Sequence, residues 1–479
     1  MFVSIEFWLF VAVVLVLYYL VPRRWQNGLL LAASYAIYVY LEPRFVLLLA
    51  GLTLFNFWLG RRLVAGAPGR SGYWWAGVVV NVGALALFKY GTGLADIVSP
   101  VLVKLGMANE PWVVNLLLPL GLSFYSFRAL AYVFDVYNGQ VEPERNLIDF
   151  GVYIAFFPQI VAGPIMRPKV FIDSLKTGRP FSQQNVVDGL TFIFMGLFYK
   201  VAIADPLFST MTTSAGGLGE LTAGTAWSEF ILYTIRIYAD FAGYSLLAIG
   251  VSTGFGMPVV QNFRQPYFSK SPGEFWDRWH VSLSSWIRDY IFYPMSRSLL
   301  RRWGNQRALL IQVTAFMVSM TLSGMWHGTG LKFVVWGALH GLYLSIERVF
   351  FPRARAKPKK GTPKWRIWGQ AVVGIAVTLV AVSVAWVFFR MDSLTGAIVF
   401  FQRMFSSNPF DEINGLWRVK VLVPIGLILL IDIPQALTNN PLVLWQLRLF
   451  WRVLFCLLLL LGIFIFGSQT NAPFIYAGF

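Results

Sequence analysis

The chain has 479 residues, of which 57% are hydrophobic, 17% aromatic and only 13% charged. Soluble domains carry about 25% charged residues, so this composition excludes an ordinary soluble protein and indicates a polytopic membrane protein. The net charge of +17 does not indicate nucleic-acid binding, because the basic residues cluster in short loops beside apolar runs, as cytoplasmic loops do. Apolar runs recur from end to end, which predicts one membrane domain over residues 1–479.

The first apolar segment is predicted to be a transmembrane helix. Glu6 is the only charge before Arg23, so the basic region that begins a signal peptide is absent. Arg23 and Arg24 follow the segment directly, and the positive-inside rule places them in the cytoplasm. The N-terminus is therefore predicted to be extracytoplasmic.

Further apolar segments follow along the chain and predict an all-α fold. They amount to about eleven or twelve spanning helices, to which shorter re-entrant and interfacial pieces are added. The predicted segments cover residues 3–21, 27–41, 45–60, 73–88, 112–136, 187–204, 227–253, 333–351, 370–390, 418–436 and 449–467.

Two segments depart from a simple spanning helix. Residues 146–168 are apolar but contain Pro158, Gly163 and Pro164, which favours a re-entrant or broken helix over an ordinary kinked one. In 227–253, Arg236 and Asp240 stand four residues apart and share a helical face, which favours a structural ion bridge over a direct catalytic role.

All three histidines of the chain lie between residues 261 and 341. A neutral imidazole is well suited to moving a proton near pH 7, and polar groups at bilayer depth usually face a cavity or a partner. His327 follows a tryptophan among glycines, and Ser323 precedes it by one helical turn. We interpret His327 as a general base that takes a hydroxyl proton during attack on an acyl carbonyl, the alternative being a buried structural histidine.

The other two histidines have different surroundings. Around His280, charged residues alternate with aromatic ones, which indicates an amphipathic interfacial helix on which Arg278 and Arg288 face headgroups or a phosphate-bearing donor. A purely structural helix is an equal alternative. His340 has no polar neighbour within four residues and is interpreted as structural. Cys456 lies in an apolar run, and no Cys/His spacing indicates a metal site.

Four stretches of the sequence resemble the membrane-bound O-acyltransferases, in particular the bacterial branch that contains the membrane subunit of alginate O-acetyltransferase. The teichoic-acid D-alanyl transfer protein is a more distant relative. The matching stretches are NLIDFGVYIAFFPQIVAGPIMR, YADFAGYSLLAIG, QNFRQPYFSKSPGEFWDRWHVSLSSWIRDYIFYP and SGMWHGTGLKFVVWGALHG.

This resemblance implies transmembrane and interfacial helices around a central tunnel or funnel, in which a cytoplasmic donor meets an extracytoplasmic acceptor. It implies catalytic roles for His327 and His280, acetyl-CoA as donor, an exported polysaccharide as acceptor, a periplasmic acetyltransferase as partner and a location in the bacterial inner membrane. No cofactor-binding residue is assigned. The residues expected to contact substrate or line the tunnel are Trp326, Trp279, Ser323, Asn262, Asp240 and Arg288.

Two departures from the family pattern concern the site. Leu246 and Leu247 follow Gly243-Tyr244-Ser245 where an acid is usual, and the basic run MSRSLLRRWGNQ follows Pro294. The alternatives to an acetyltransferase are a transporter of acyl groups or glycans, a scaffold without chemistry, and an enzyme of D-alanyl or peptidoglycan O-acyl transfer.

Overall fold

The computed structural model describes residues 2, 4–105, 107, 116–211, 217–352, 361–407 and 415–467. All regular elements of these residues are helices, which confirms the all-α prediction. The chain divides into two compact units, Met1–Leu190 with Ala248–Val260 and Thr191–Leu247 with Gln261–Phe479. A single membrane domain therefore stays a prediction.

The helices of the first part of the chain agree with most predicted segments in place but not in length. They are α1 Ile5–Leu20, α2 Arg23–Leu41, α3 Val46–Arg62, α4 Arg70–Lys104, α5 Leu122–Tyr137, α6 Leu147–Ala155, α7 Pro168–Lys176 and α8 Gln183–Leu197. Helix α4 extends well beyond the predicted 73–88. In the predicted segment 112–136, residues 112–115 lie outside the described residues, and the helix begins only after Gly121, which has a φ of 72°.

The segment 146–168 is broken, as the sequence predicts. Helix α6 ends at Ala155, a single 3-10 turn covers Phe157–Gln159, and irregular backbone leads to α7. The buried Arg128 of α5 donates to the Tyr153 carbonyl at 3.0 Å and to the Gln159 side-chain oxygen at 3.0 Å. Backbone carbonyls freed by a helix break need donors when water is excluded, and Arg128 supplies them.

The remaining helices carry the histidines and the C-terminal part of the chain. They are α9 Asp205–Thr210, α10 Ala223–Gly254, α11 Pro272–Arg278, α12 Val281–Ile287, α13 Tyr293–Trp303, α14 Ala308–His327, α15 Leu331–Phe350, α16 Lys364–Arg390, α17 Leu394–Met404, α18 Gly415–Thr438 and α19 Leu449–Phe466. Two π-helical segments, Phe198–Ala204 and Arg288–Phe292, join α8 to α9 and α12 to α13.

Seven helices of the described residues are long and apolar enough to cross a membrane, and two shorter apolar helices accompany them. The seven are Pro43–Arg62, Arg70–Lys104, Gln183–Thr210, Asn305–His327, Lys364–Arg390, Val421–Thr438 and Leu449–Phe466. This number is below the eleven or twelve predicted from apolar runs. Helix α5, at 16 residues, is one predicted span that falls short of the required length.

Helices α14 and α15 form a hairpin whose close approach depends on two glycines. A Cβ added at Gly324 would lie 2.1 Å from the Phe333 carbonyl oxygen, and one at Gly337 would lie 2.3 Å from the Met320 carbonyl oxygen. Any larger residue would therefore push the helices apart. This approach brings His327, at the end of α14, against the indole of Trp336 in α15.

Candidate active site

His280 lies at a break between two short helices. Helix α11 ends at Arg278 and α12 begins at Val281, while His280 has a φ of 41° and a ψ of 55°. The amphipathic helix expected here is therefore divided into two short helices at His280. A residue with a side chain rarely adopts this left-handed conformation, so surrounding contacts must hold it in place.

The side chain of Asn262 supplies those contacts. Its Oδ1 lies 3.2 Å from His280 Nδ1 and accepts hydrogen bonds from the Ser282 backbone N–H at 3.1 Å and from Ser282 Oγ at 2.9 Å. The Val281 N–H also donates to the Asn262 carbonyl at 2.9 Å. We call Asn262, His280 and Ser282 the Asn262 knot.

The Asn262 knot determines the tautomer of His280. A backbone N–H can only donate, so the bond from Ser282 identifies the facing amide atom as oxygen. An amide oxygen can only accept, so Nδ1 of His280 must carry the proton. The other nitrogen, Nε2, then presents a lone pair, and the described residues provide no hydrogen-bond partner for it.

Burial also keeps His280 neutral. The residue is 1% exposed, and the loss of water lowers the pKa of His280 to about 3. The ring of Phe241 meets the imidazole edge-on at 4.7 Å, and Phe263 lies 6.4 Å away. A neutral imidazole with so low a pKa is a weak base, so this geometry suits accepting a hydrogen bond better than removing a proton.

His327 is buried at 2% exposure among aromatic rings. Its imidazole centroid lies 4.5 Å from that of Trp326, 4.8 Å from that of Trp336 and 5.1 Å from that of Phe389. Ser323, one turn earlier on α14, is also buried, and its Oγ has no hydrogen-bond partner among the described residues. The rings position the imidazole of His327.

His340 is fully buried and lies within the same aromatic cluster. Its ring contacts Trp336 at 4.8 Å, Trp276 at 5.0 Å and, in a stacked arrangement, Phe275 at 6.1 Å. Neither ring nitrogen has a hydrogen-bond partner within the described part of the chain. This packing agrees with the structural role expected from the sequence.

A cavity of about 800 Å³ adjoins this cluster. Arg264, Arg288 and Arg348 contribute basic groups to its lining, and Asp277 and Glu347 contribute acidic ones. The lining also includes Trp276 and Met320. His327 is not among the residues that line this cavity. Trp276 contacts Trp336 at 6.0 Å, and these two indoles connect the cavity to His327.

The predicted site residues fall into four groups, the last of which contains only Asp240. His280 and Asn262 form the knot and Trp279 adjoins it, whereas Trp326 and Ser323 accompany His327. Arg288 lies at the cavity, where its Nε is 3.0 Å from Asp289.

Asp240 belongs to a separate buried ion network. Its carboxylate lies 2.8 Å from Lys200 Nζ, which is also 2.7 Å from Asp205. The sequence did not predict Lys200 as the partner of Asp240. Lys200, Asp205 and Asp240 all lie in or beside apolar segments, and opposite charges in such segments tend to pair with one another. The sequence also did not predict Ser282 and Trp336, which no sequence signal distinguished from many other serines and tryptophans.

The helices and the site define a multi-pass membrane protein with buried imidazoles beside a cavity lined by three arginines and two acidic residues. The profile of the membrane-bound O-acyltransferase family matches residues 144–389, which include the Asn262 knot, His327 and His340. The chain belongs to this family and is an acyltransferase.

Relatives match over most of the chain. The probable alginate O-acetylase AlgI of Pseudomonas aeruginosa is 37% identical over 424 residues, which cover 88% of this chain and 76% of the relative. The protein of the same name from Pseudomonas putida is 34% identical over 99% of both chains. The peptidoglycan O-acetyltransferase of Helicobacter pylori is 27% identical over 81% of this chain and 75% of its own.

Proposed function

We propose that this protein transfers acetyl groups from acetyl-CoA toward hydroxyls of an exported polysaccharide, in the bacterial inner membrane. The observation that carries the proposal is the similarity to alginate O-acetylases along nearly the whole chain, with identities of 34% and 37%. The buried imidazoles are consistent with acyl transfer. The N-terminus is proposed to be extracytoplasmic, because Arg23 and Arg24 follow the first apolar helix.

In this proposal His327 is the general base. The acceptor oxygen forms a bond to the acetyl carbonyl carbon while the carbon–sulfur bond of the thioester breaks. His327 takes the hydroxyl proton and passes it to the leaving sulfur, so that atoms and charge balance. The lone pair at His280 Nε2 accepts a hydrogen bond from a hydroxyl and orients it.

The arginines of the cavity support a phosphate-bearing donor, although Asp277 and Glu347 also line it. Arg264, Arg288 and Arg348 contribute to its lining, and guanidinium groups bind phosphates in paired hydrogen bonds. The volume of about 800 Å³ is ample for part of a coenzyme thioester.

The acceptor and partner follow from the relatives' names by analogy. Alginate is the substrate in the names of the Pseudomonas relatives, and a periplasmic acetyltransferase is the proposed partner that completes the transfer. The Helicobacter pylori relative is named for peptidoglycan instead. The proposed acceptor is therefore an exported glycan that bears hydroxyls, whether alginate or another polymer.

The test is the loss of acetyl esters when His327 is replaced. We expect His327→Ala to lower acetyl transfer by about 100-fold or more, since general base catalysis contributes about 10²–10⁴-fold. The variant is compared with the wild type for acetyl esters on exported polysaccharide and peptidoglycan, and for D-alanyl esters, by mass spectrometry. Thermal unfolding of the purified proteins checks that the variant is folded.

Normal acetylation by a folded His327→Ala variant would overturn the role of the imidazole. If His327→Ala lowered D-alanyl esters and left acetyl esters unchanged, the group that the protein transfers would be D-alanyl rather than acetyl. Transfer of radiolabelled acetyl from acetyl-CoA to a glycan by the purified protein in nanodiscs would exclude a mere scaffold or transporter.

A further inference from the structure

Helix α18 carries two buried polar side chains one turn apart, Asp432 and Gln435. They are 2% and 4% exposed, and both lie in the apolar span Val421–Thr438. Polar groups at such depth are costly and usually have a function or a specific partner. Both residues lie outside the region 144–389 that matches the family profile.

Gln435 holds the loop that precedes the histidine. Its Oε1 accepts a hydrogen bond from Gln265 Nε2 at 2.7 Å, and its own Nε2 donates to the Pro441 carbonyl at 2.8 Å. Gln265 has a φ of 46°, a conformation that a residue other than glycine adopts only when its surroundings hold it. Both groups of the Gln435 amide are thus engaged, the oxygen with the Gln265 side chain and the nitrogen with the Pro441 backbone.

Asp432 holds two tyrosines, one of which packs against the aromatic rings beside the same loop. Its two carboxylate oxygens accept hydrogen bonds from the hydroxyls of Tyr199 and Tyr238, the latter at 2.8 Å. The ring of Tyr238 contacts Tyr267 at 5.1 Å, Phe263 at 6.0 Å and Trp279, the neighbour of His280, at 6.2 Å.

Gln265 lies only three positions after Asn262 of the knot. The Arg264 N–H donates to the Arg278 carbonyl at 2.9 Å, and the Val281 N–H donates to the Asn262 carbonyl at 2.9 Å. These two bonds fasten Asn262 and Arg264 to the chain on either side of His280. Gln265 continues the same stretch of backbone, so a shift of its backbone would strain these bonds and displace the amide oxygen that faces His280 Nδ1.

We propose that Asp432 and Gln435 are positioning residues for His280. Through Gln265 and Tyr238 they hold Asn262 and Trp279 in place, and so they keep His280 as the Nδ1–H tautomer with its lone pair at Nε2. Neither side chain touches the substrate. The effect on turnover rests on the proposed function of His280, but the effect on the tautomer does not.

The chain contains only three histidines, which makes the tautomer measurable. Protein labelled with ¹⁵N-histidine is examined by solid-state NMR in lipid bilayers, and His280→Phe and His340→Phe variants assign the signals. We expect His280 of the wild type to be the Nδ1–H tautomer. In Gln435→Leu we expect a mixture of tautomers, together with about a tenfold fall in kcat and little change in KM for the donor.

Thr438→Val is the matched control, because Thr438 is exposed on the same helix and its hydroxyl bonds only back to the Pro434 carbonyl at 2.8 Å among the described residues. We expect its histidine signals and its kcat to equal those of the wild type. If Gln435→Leu does not fold, Gln435→Glu, which keeps the acceptor oxygen for Gln265, should retain the wild-type tautomer.

A wild-type His280 in the Nε2–H tautomer would overturn the inference, as would an unchanged His280 signal and kcat in folded Gln435→Leu. These results are separate from failure of the proposed function, which would be an absence of acetyl transfer in the wild type while the tautomer remains as expected.

Discussion

His280 and His340 are both fully buried in the same unit, yet their surroundings differ in kind. His280 is held by an amide oxygen and a serine, with its proton on a defined nitrogen, whereas His340 is enclosed by Phe275, Trp276 and Trp336. Leaving a buried polar atom without a hydrogen bond costs about 1–3 kcal/mol. Burial alone therefore does not indicate a chemical role, but a polar arrangement that selects one tautomer does.

The sharpest way to break this comparison is to remove the acceptor from the Asn262 knot. Asn262→Leu leaves the proton of His280 Nδ1 and the Ser282 N–H without their shared partner, so we expect acetyl transfer to fall about 10- to 100-fold. Initial rates with purified protein in nanodiscs measure this.

Asn262→Asp is the control for that change, because a carboxyl retains an acceptor oxygen at the same place. We expect it to keep more activity than Asn262→Leu. Equal loss in the two variants would show that the hydrogen bond to Nδ1 is unimportant.

The contact of His327 with Trp336 depends on the close packing of α14 against α15, which a substitution at Gly337 can disturb. Gly337→Ala places a methyl group 2.3 Å from the Met320 carbonyl oxygen, so we expect a loss of about 1–3 kcal/mol in stability and a clear fall in activity. Thermal unfolding in detergent measures the first effect.

Gly83→Ala is the matched control in a helix, since a Cβ there meets no atom within 4 Å. It should be neutral or slightly stabilising, because alanine favours helix by about 1 kcal/mol over glycine. If the two alanine variants have the same stability, the close approach of α14 and α15 does not contribute to the stability of the fold.

Acidification should lower the stability of the folded protein, because His280 is neutral in the folded state. The pKa of His280 in the folded protein, about 3, lies below the ordinary value of 6.5. Below pH 6.5 the imidazole therefore binds a proton in the unfolded chain but stays neutral in the folded one. Stability from this group is therefore lost as pH falls from 6.5, by about 2 kcal/mol at pH 5.

The measurement is the difference in thermal midpoint between pH 7 and pH 5, for the wild type and for His280→Phe. The variant should lose less stability on acidification, because the titrating ring is gone while other groups remain. An identical loss in both proteins would mean that His280 is protonated in the folded state.

The smallest effect is expected at His340. His340→Phe keeps an aromatic ring of similar size and removes two nitrogens that have no described hydrogen-bond partner, so stability should stay the same or rise. Acetyl transfer should stay within about twofold of wild type. A loss comparable to that of Asn262→Leu would place His340 in the chemistry and remove the contrast with His280.

The sequence predicted the class of fold and one local break with good reason. Pro158, Gly163 and Pro164 interrupt an apolar run, and the helix there does end at Ala155. The number of spans was predicted less well, because apolar runs also occur in buried helices such as α5, where nearly every side chain is covered by protein. Hydropathy measures the preference for a nonpolar environment and does not distinguish lipid from protein core.

For the site, composition and residue order alone determined an all-helical membrane chain whose three histidines fall in one stretch. Only the tertiary structure decided which nitrogen of His280 carries the proton, that Lys200 pairs with Asp240, and that Gln435 meets Gln265 across 170 residues. Apolar and charged patterns act locally and can be read along the chain. Hydrogen bonds between distant residues depend on distances of a few ångströms, which exist only once the helices have packed.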